Sequence, residues 1–137
     1  MAINYISSIG TWLLRLIVAA IMLQTLYFKF TASPESVYIF TSIGMEPWGR
    51  IGIGLMELIA AVLILFPRTT VLGAILATGL MCGAIYFHLS KLGIVVLNDG
   101  GQLFVYAIVV LVASVWLVWI HRIQIYTLLK VKTLKRI

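Results

Sequence analysis

Four stretches of the chain are apolar for about twenty residues each, with short polar breaks between them. They cover about 9–30, 48–66, 71–89 and 102–120. A helix needs about 20 apolar residues to cross roughly 30 Å of hydrocarbon, so each stretch predicts a membrane span. Nothing in them alternates with the period of a barrel strand, and backbone groups in lipid must hydrogen-bond internally. The pattern therefore predicts an all-α protein, an antiparallel four-helix bundle integral to a membrane. The second span stops at Pro67.

A shorter signal lies between the first two spans. "SPES" (33–36) has the form of a helix start: Ser33 as N-cap, Pro34 in the first turn, Glu35 beside the positive end of the dipole. "VYIFTSIG" then predicts a short interfacial helix on the outer surface, ended by Gly44. After Arg122 apolar and basic residues mix, which predicts a tail lying along an anionic inner leaflet. The expected layout is one four-span domain over 1–122 and a basic cytoplasmic tail over 123–137.

Composition supports the same solvent. Of 137 residues, 63% are hydrophobic and 10% charged, against about 25% charged in ordinary soluble domains. Mean hydropathy is +1.14. The net charge of +6 is concentrated after Arg122, so the expected partner is the lipid bilayer and not nucleic acid. The single Cys82 can form no internal disulfide, and no CxxC or Cys/His cluster is present. The first apolar run has no basic stretch before it and exceeds a signal-peptide core in length, so it is expected to stay as a helix.

The charges predict orientation. Four spans place both termini on one side with Arg68, Arg122, Lys130, Lys132, Lys135 and Arg136. Glu35, Glu46, Lys91 and Asp99 fall on the other side, with Lys29 and Arg50 at its edge. The excess of Lys and Arg belongs in the cytoplasm, so both termini are expected there, in a bacterial inner membrane. Trp48, Trp116 and Trp119 fall near span ends, as interfacial aromatics do. Gly79 and Gly83 in the third span, and Gly52 and Gly54 in the second, predict close helix approach.

Six polar residues sit in or at the edge of the spans: Arg15, Gln24, Lys29, Arg50, Glu57 and His88. An ionisable group at membrane depth costs about 2.5–3.5 kcal/mol or more and usually faces the bundle interior. Glu57 lies nine residues past Trp48, about 13 Å deep and close to the midplane. Arg50 is seven residues away on the same helix face, but helical side chains lean toward their own N-terminus, so Arg50 leans away from Glu57. Lys29 and His88, on spans running the opposite way, lean toward it. The three groups are expected to converge on a polar pocket in the outer half. Gln24 lies at the depth of Glu57, Tyr86 and Tyr106 flank it, and Gln102 closes the top. Arg15 is expected to snorkel to the inner surface. The alternative is that the buried pair only fixes helix register. His88 and His121 lie at opposite faces and cannot both ligate one haem. No Walker loop, GxSxG or HExxH motif appears.

Several segments in order resemble the DoxX / DoxX-like family of small four-span bacterial membrane proteins. They are "LYFKF" at the end of span one, "FTSIGM" before span two, "RIGIGLMELIAAVLILFPRTTVLGA", and "LMCGAIYFHL" followed by "NDGGQLFVYAIVVL". The resemblance covers roughly residues 10–122, and Lys29, Arg50, Glu57 and His88 match the family's polar positions. It implies an accessory or ligand-binding subunit of a membrane redox or oxidative-stress system, since the family's namesake belongs to an archaeal thiosulfate:quinone oxidoreductase. A bound quinone or lipid is the implied ligand, other membrane or redox subunits or a second copy the implied partners. The chain has no redox cofactor motif of its own, so it is expected to be at most a non-cofactor subunit of a quinone-linked oxidoreductase. In that reading Glu57 exchanges protons or hydrogen-bonds a ligand head, Lys29 holds its charge, Arg50 attracts an anionic head at the outer mouth and His88 relays protons. The rivals are a purely structural subunit and a small transporter or lipid-binding module.

Overall fold

The computed structural model describes residues 2–134, with side chains from 8 to 130. Its helices are α1 (Ala2–Phe30), α2 (Pro34–Ser42), α3 (Trp48–Leu65), α4 (Thr70–Phe87), α5 (Gln102–Ile120) and α6 (Arg122–Leu134). A single π-turn, His88–Leu92, continues α4. The candidate spans are Ser8–Phe30, Trp48–Leu65, Thr70–Leu92 and Gln102–Ile120, on the four predicted stretches. The third outruns its predicted end because α4 passes into the π-turn without a break. Lys135 and Arg136 and the side chain of Lys132, which the sequence assigns to the basic end, lie outside the described residues.

The spans pack antiparallel in a ring: α1 on α3, α3 on α4, α4 on α5 and α5 on α1, the last seam being the loosest. Only 28–39% of each span is buried within the protein, so most of its surface looks outward. That outward surface carries Leu55, Ile59, Val112 and Trp116 among other apolar side chains, a face that suits lipid rather than water.

The core is built largely from small residues. Ala19, Ala60, Ala61, Ala74, Ala77, Ala107 and Ala113 surround Val18, Met22, Ile64, Met81, Val110 and Leu117. In lipid, where apolar burial gives helices little reason to associate, close backbone approach supplies dispersion instead. α3 and α4 come close at Gly73, where a Cβ would sit 2.7 Å from the Ala60 carbonyl oxygen and 2.7 Å from the Ile64 nitrogen. Gly73→Val is expected to lower unfolding free energy in detergent by about 1–3 kcal/mol or more. Gly52→Ala, whose Cβ would meet nothing within 4 Å, is expected not to lower it. Equal behaviour of the two variants in a denaturant titration would contradict this packing.

Gly79 and Gly83 do not pack helix on helix as the sequence predicts. A Cβ at either would meet nothing within 4 Å, because both face a void. Gly54 does serve packing, against the Phe30 ring 2.8 Å from its would-be Cβ.

Helix ends need partners for their orphan backbone groups, most of all in lipid. At α2 the Ser33 hydroxyl accepts from the Ser36 N–H at 3.3 Å, with Pro34 first in the helix, as predicted. The helix closes just before Gly44, whose φ of +73° suits glycine. At the C-terminus of α3 the Thr69 hydroxyl donates to the Leu63 carbonyl at 2.8 Å and the Thr70 hydroxyl lies 2.9 Å from that of Phe66. Arg15 supplies the rest: its Nε donates to the Ile64 carbonyl at 2.8 Å and its Nη2 to that of Leu65 at 2.7 Å. Arg15 is only 3% exposed and its guanidinium lies 3.6 Å from the Trp12 ring centre. The predicted snorkelling to the surface is thus replaced by a buried cap, because the end of α3 offers acceptors nearer than water. α6 is tied to the turn after α3 by Gln124, which donates to the Pro67 carbonyl at 2.7 Å and accepts from the Val71 N–H at 3.1 Å.

Candidate functional site

Glu57 is buried on α3 and its carboxylate meets Lys29 of α1, Nζ to Oε2 at 3.0 Å. The two helices run in opposite directions and each side chain leans toward its own N-terminus, which closes the gap. The Thr25 hydroxyl lies 3.3 Å from the same Oε2 and 2.9 Å from the Met22 carbonyl. One hydroxyl proton serves one acceptor at a time. A charged Glu57 can take that proton; a protonated Glu57 can donate to the Thr25 oxygen while Thr25 stays on Met22. The trio accommodates a proton arriving or leaving.

The pair stands on the wall of a cavity of about 400 Å³, in the half of the bundle away from the termini. Gln24, Thr25, Phe28 and Lys29 line it from α1, Glu57 and Ile53 from α3, Gly79, Gly83, Phe87 and His88 from the third span, and Gln102, Tyr106 and Ala107 from α5. Met22, Met81 and Val110, part of the core, floor it. α2 roofs it with Glu35, Ser36 and Phe40, the last two buried.

Lys29, Glu57, Gln24 and His88 are therefore brought to one volume, with Tyr106 and Gln102. Arg50 is not. Its Nε bonds both carboxylate oxygens of Glu46, at 2.8 and 3.0 Å, and its Nη1 donates to the Lys29 carbonyl. It caps α1 from α3, as Arg15 caps α3 from α1. Its side chain is 8% exposed, paired with Glu46 and bonded to the backbone that carries Lys29. Tyr86 also departs from expectation: it is 64% exposed and stands edge-on to Phe87 outside the cavity.

His88 sits where the helix widens into the π-turn, packed on the Phe104 ring. Its Nδ1 is 2.9 Å from the Gly93 carbonyl. A carbonyl only accepts, so Nδ1 carries the proton, and in the neutral ring Nε2 is left as an acceptor. The loop behind it is organised by Asp99, which accepts from the N–H groups of Val96 at 3.0 Å, Gly101 at 2.8 Å and Leu103 at 3.3 Å. Burial would raise the Asp99 carboxyl, but those three N–H groups and His88 outweigh it and hold it below the usual carboxylate range. Burial, and then the charge of Asp99, push the Glu35 carboxyl up.

The sequence reading did not assign Thr25, Asp99 or Glu35 to the site. Asp99 could have been found: Asp followed by two glycines, whose φ values are +67° and +86°, marks a turn whose carboxylate collects the N–H groups opening α5. Thr25 carries no such signal. Among the described residues no three His, Cys, Asp or Glu side chains are grouped to hold a metal ion.

Residues 13–118 match the sequence model of the DoxX-like family, well over half of the chain and every group named in the cavity wall. No curated protein and no solved structure matches the chain.

Proposed function

The chain belongs to the DoxX-like family, a multi-pass membrane protein with four candidate spans, and from that premise we propose that it is an accessory subunit of a membrane redox system that holds a quinone or similar lipophile. The observation that carries this is the Lys29–Glu57 pair, 3.0 Å apart, on the wall of a cavity of about 400 Å³. That volume falls in the range of small-molecule sites, and a few polar groups in an apolar wall are how such sites orient a ligand.

The chemistry of the wall favours a neutral head. Its one cation, Lys29, is matched by Glu57. Glu35 in the roof is a second carboxyl, pushed toward its neutral form by burial, and the remaining unspent groups are neutral: the Gln24 amide, Nε2 of His88, and the hydroxyl proton of Tyr106, whose oxygen accepts from Gln102 at 2.8 Å. Donors and acceptors of this kind suit carbonyl and hydroxyl oxygens, the two forms of a quinone head. Glu57 with Thr25 and His88 would take up or give protons as the head changes form, while a partner subunit exchanges the electrons. Lys and Arg at the end holding the termini, Arg68, Arg122 and Lys130 among them, support a cytoplasmic placement of both termini in a bacterial inner membrane.

Purification in mild detergent followed by lipid extraction tests the reading. The wild-type chain is expected to carry a quinone or other neutral lipophile, and Glu57→Gln to lose at least tenfold of it while keeping its helical content. If Glu57→Gln keeps its ligand and instead fails to assemble with co-purifying membrane proteins, the pair serves assembly alone and the structural-subunit reading replaces this one.

A further inference from the structure

We infer that the ligand reaches the cavity sideways from the bilayer, between α1 and α5, and leaves its apolar tail in a groove along that seam; this rests on the ligand-binding reading above. α2 covers the end of the cavity away from the termini, packing on α1, α3 and the π-turn. The core floors the other end. Of the four seams, α1–α5 is the loosest, and the wall residues on its two lips open outward: Gln24 and Phe28 on α1, Gln102 on α5, Phe28 being 46% exposed.

The same seam carries a second concavity, about 720 Å³ and open to one side, in the half nearer the termini. Leu14 and Ile17 line it from α1, Val109, Val112 and Trp116 from α5. Along both helices its lining takes up where that of the cavity leaves off. Ile17 lies one turn from Ile21 of the cavity wall, and Val109 adjoins Val110 of the cavity floor. From Ile21 to Gly10, the last α1 residue of the groove, is about 16 Å at 1.5 Å per residue. A head hydrogen-bonded near Glu57 thus has a shallow apolar channel for a tail of about that length. The occupant is the tail of a single-chain neutral amphiphile, because the polar cavity at the channel's end accepts one head and the channel's lining is nearly all apolar.

The test compares a 1,4-benzoquinone bearing an ethyl group with one bearing a decyl chain, binding to the full chain in nanodiscs. Wild-type protein is expected to bind the decyl compound at least tenfold tighter, after correction for partition into lipid. Ile17→Trp with Val109→Trp fills the groove. It is expected to bring that ratio below threefold and leave ethyl binding unchanged; Leu72→Trp, on the outward face of α4, is expected to change neither. Should the double variant misfold, Val112→Trp, at an exposed groove position, fills the groove from α5 alone and is expected to lower the ratio in the same direction. A ratio that survives groove filling overturns the tail channel while leaving the head site standing. So does an unchanged ratio with a shift in oligomer size, which would make the seam a helix-docking face. Failure of the ethyl compound to bind wild-type protein overturns the ligand-binding reading itself, and this inference with it.

Discussion

Lys29→Met is expected to destabilise the bundle by about 3–5 kcal/mol, the loss typical when one partner of a buried ion pair is removed. The size comes from what is left behind. Glu57 is 6% exposed at the side chain, and without Lys29 its charge keeps only the Thr25 hydroxyl as a nearby donor. The carboxylate must then bear the loss, take a proton or draw cavity water to itself, each at a cost. The double variant Lys29→Met, Glu57→Leu removes both charges and is expected to recover most of the loss, since well-packed apolar pairs often equal buried ion pairs in stability. The measurement is reversible unfolding in mixed micelles, run as a double-mutant cycle. A single-variant loss under about 1 kcal/mol, the usual range for exposed pairs, would place the two groups in contact with water.

Arg15→Leu has the second large effect. It removes two charge-assisted hydrogen bonds to the Ile64 and Leu65 carbonyls. Such bonds contribute about 1.5–3 kcal/mol each. Leucine is more comfortable in lipid than arginine, so the net loss is expected near 3–4 kcal/mol, on the scale of those bonds less the gain in burial. Arg15→Lys keeps the charge but not the planar fork that reaches two adjacent carbonyls, and is expected to lose about half as much. The turn between α3 and α4 should also become the first site cut by protease in Arg15→Leu, because α3 loses its C-terminal cap there. Cleavage unchanged from wild type would show that Thr69 and Thr70 cap α3 unaided.

What the sequence revealed depended on whether the signal lay in the residue or in its partner. The spans were legible because hydropathy is a property of each residue and the membrane sets the length. Glu57 was legible because a carboxylate in the middle of an apolar run demands a partner, and the lean of helical side chains pointed to Lys29. The partners of Arg15 and Arg50 were not legible, because they are backbone carbonyls and every residue has one. The role of Gly79 and Gly83 was misread for a related reason: a stripe of small residues looks the same whether a helix or a void lies opposite. Tyr86 was placed inward because α4 is apolar nearly all the way round, leaving no polar stripe from which to fix its rotation. Its turn about its own axis is settled by contacts with α3 and α5, which no local pattern in α4 records.

The exchange of arginines between α1 and α3 bears on how the chain is made. The acceptors for Arg15 arrive 49 and 50 residues after it, so when α1 leaves the translocation channel its guanidinium has the Trp12 ring of the same helix but neither carbonyl. Arg15 stands seven residues past Ser8, about 10 Å into its span, where an arginine short of partners is unfavourable in lipid. α1 is therefore expected to linger at the channel's lateral gate until α3 emerges, and the two to partition into the membrane together as a hairpin-like pair with α2 still outside.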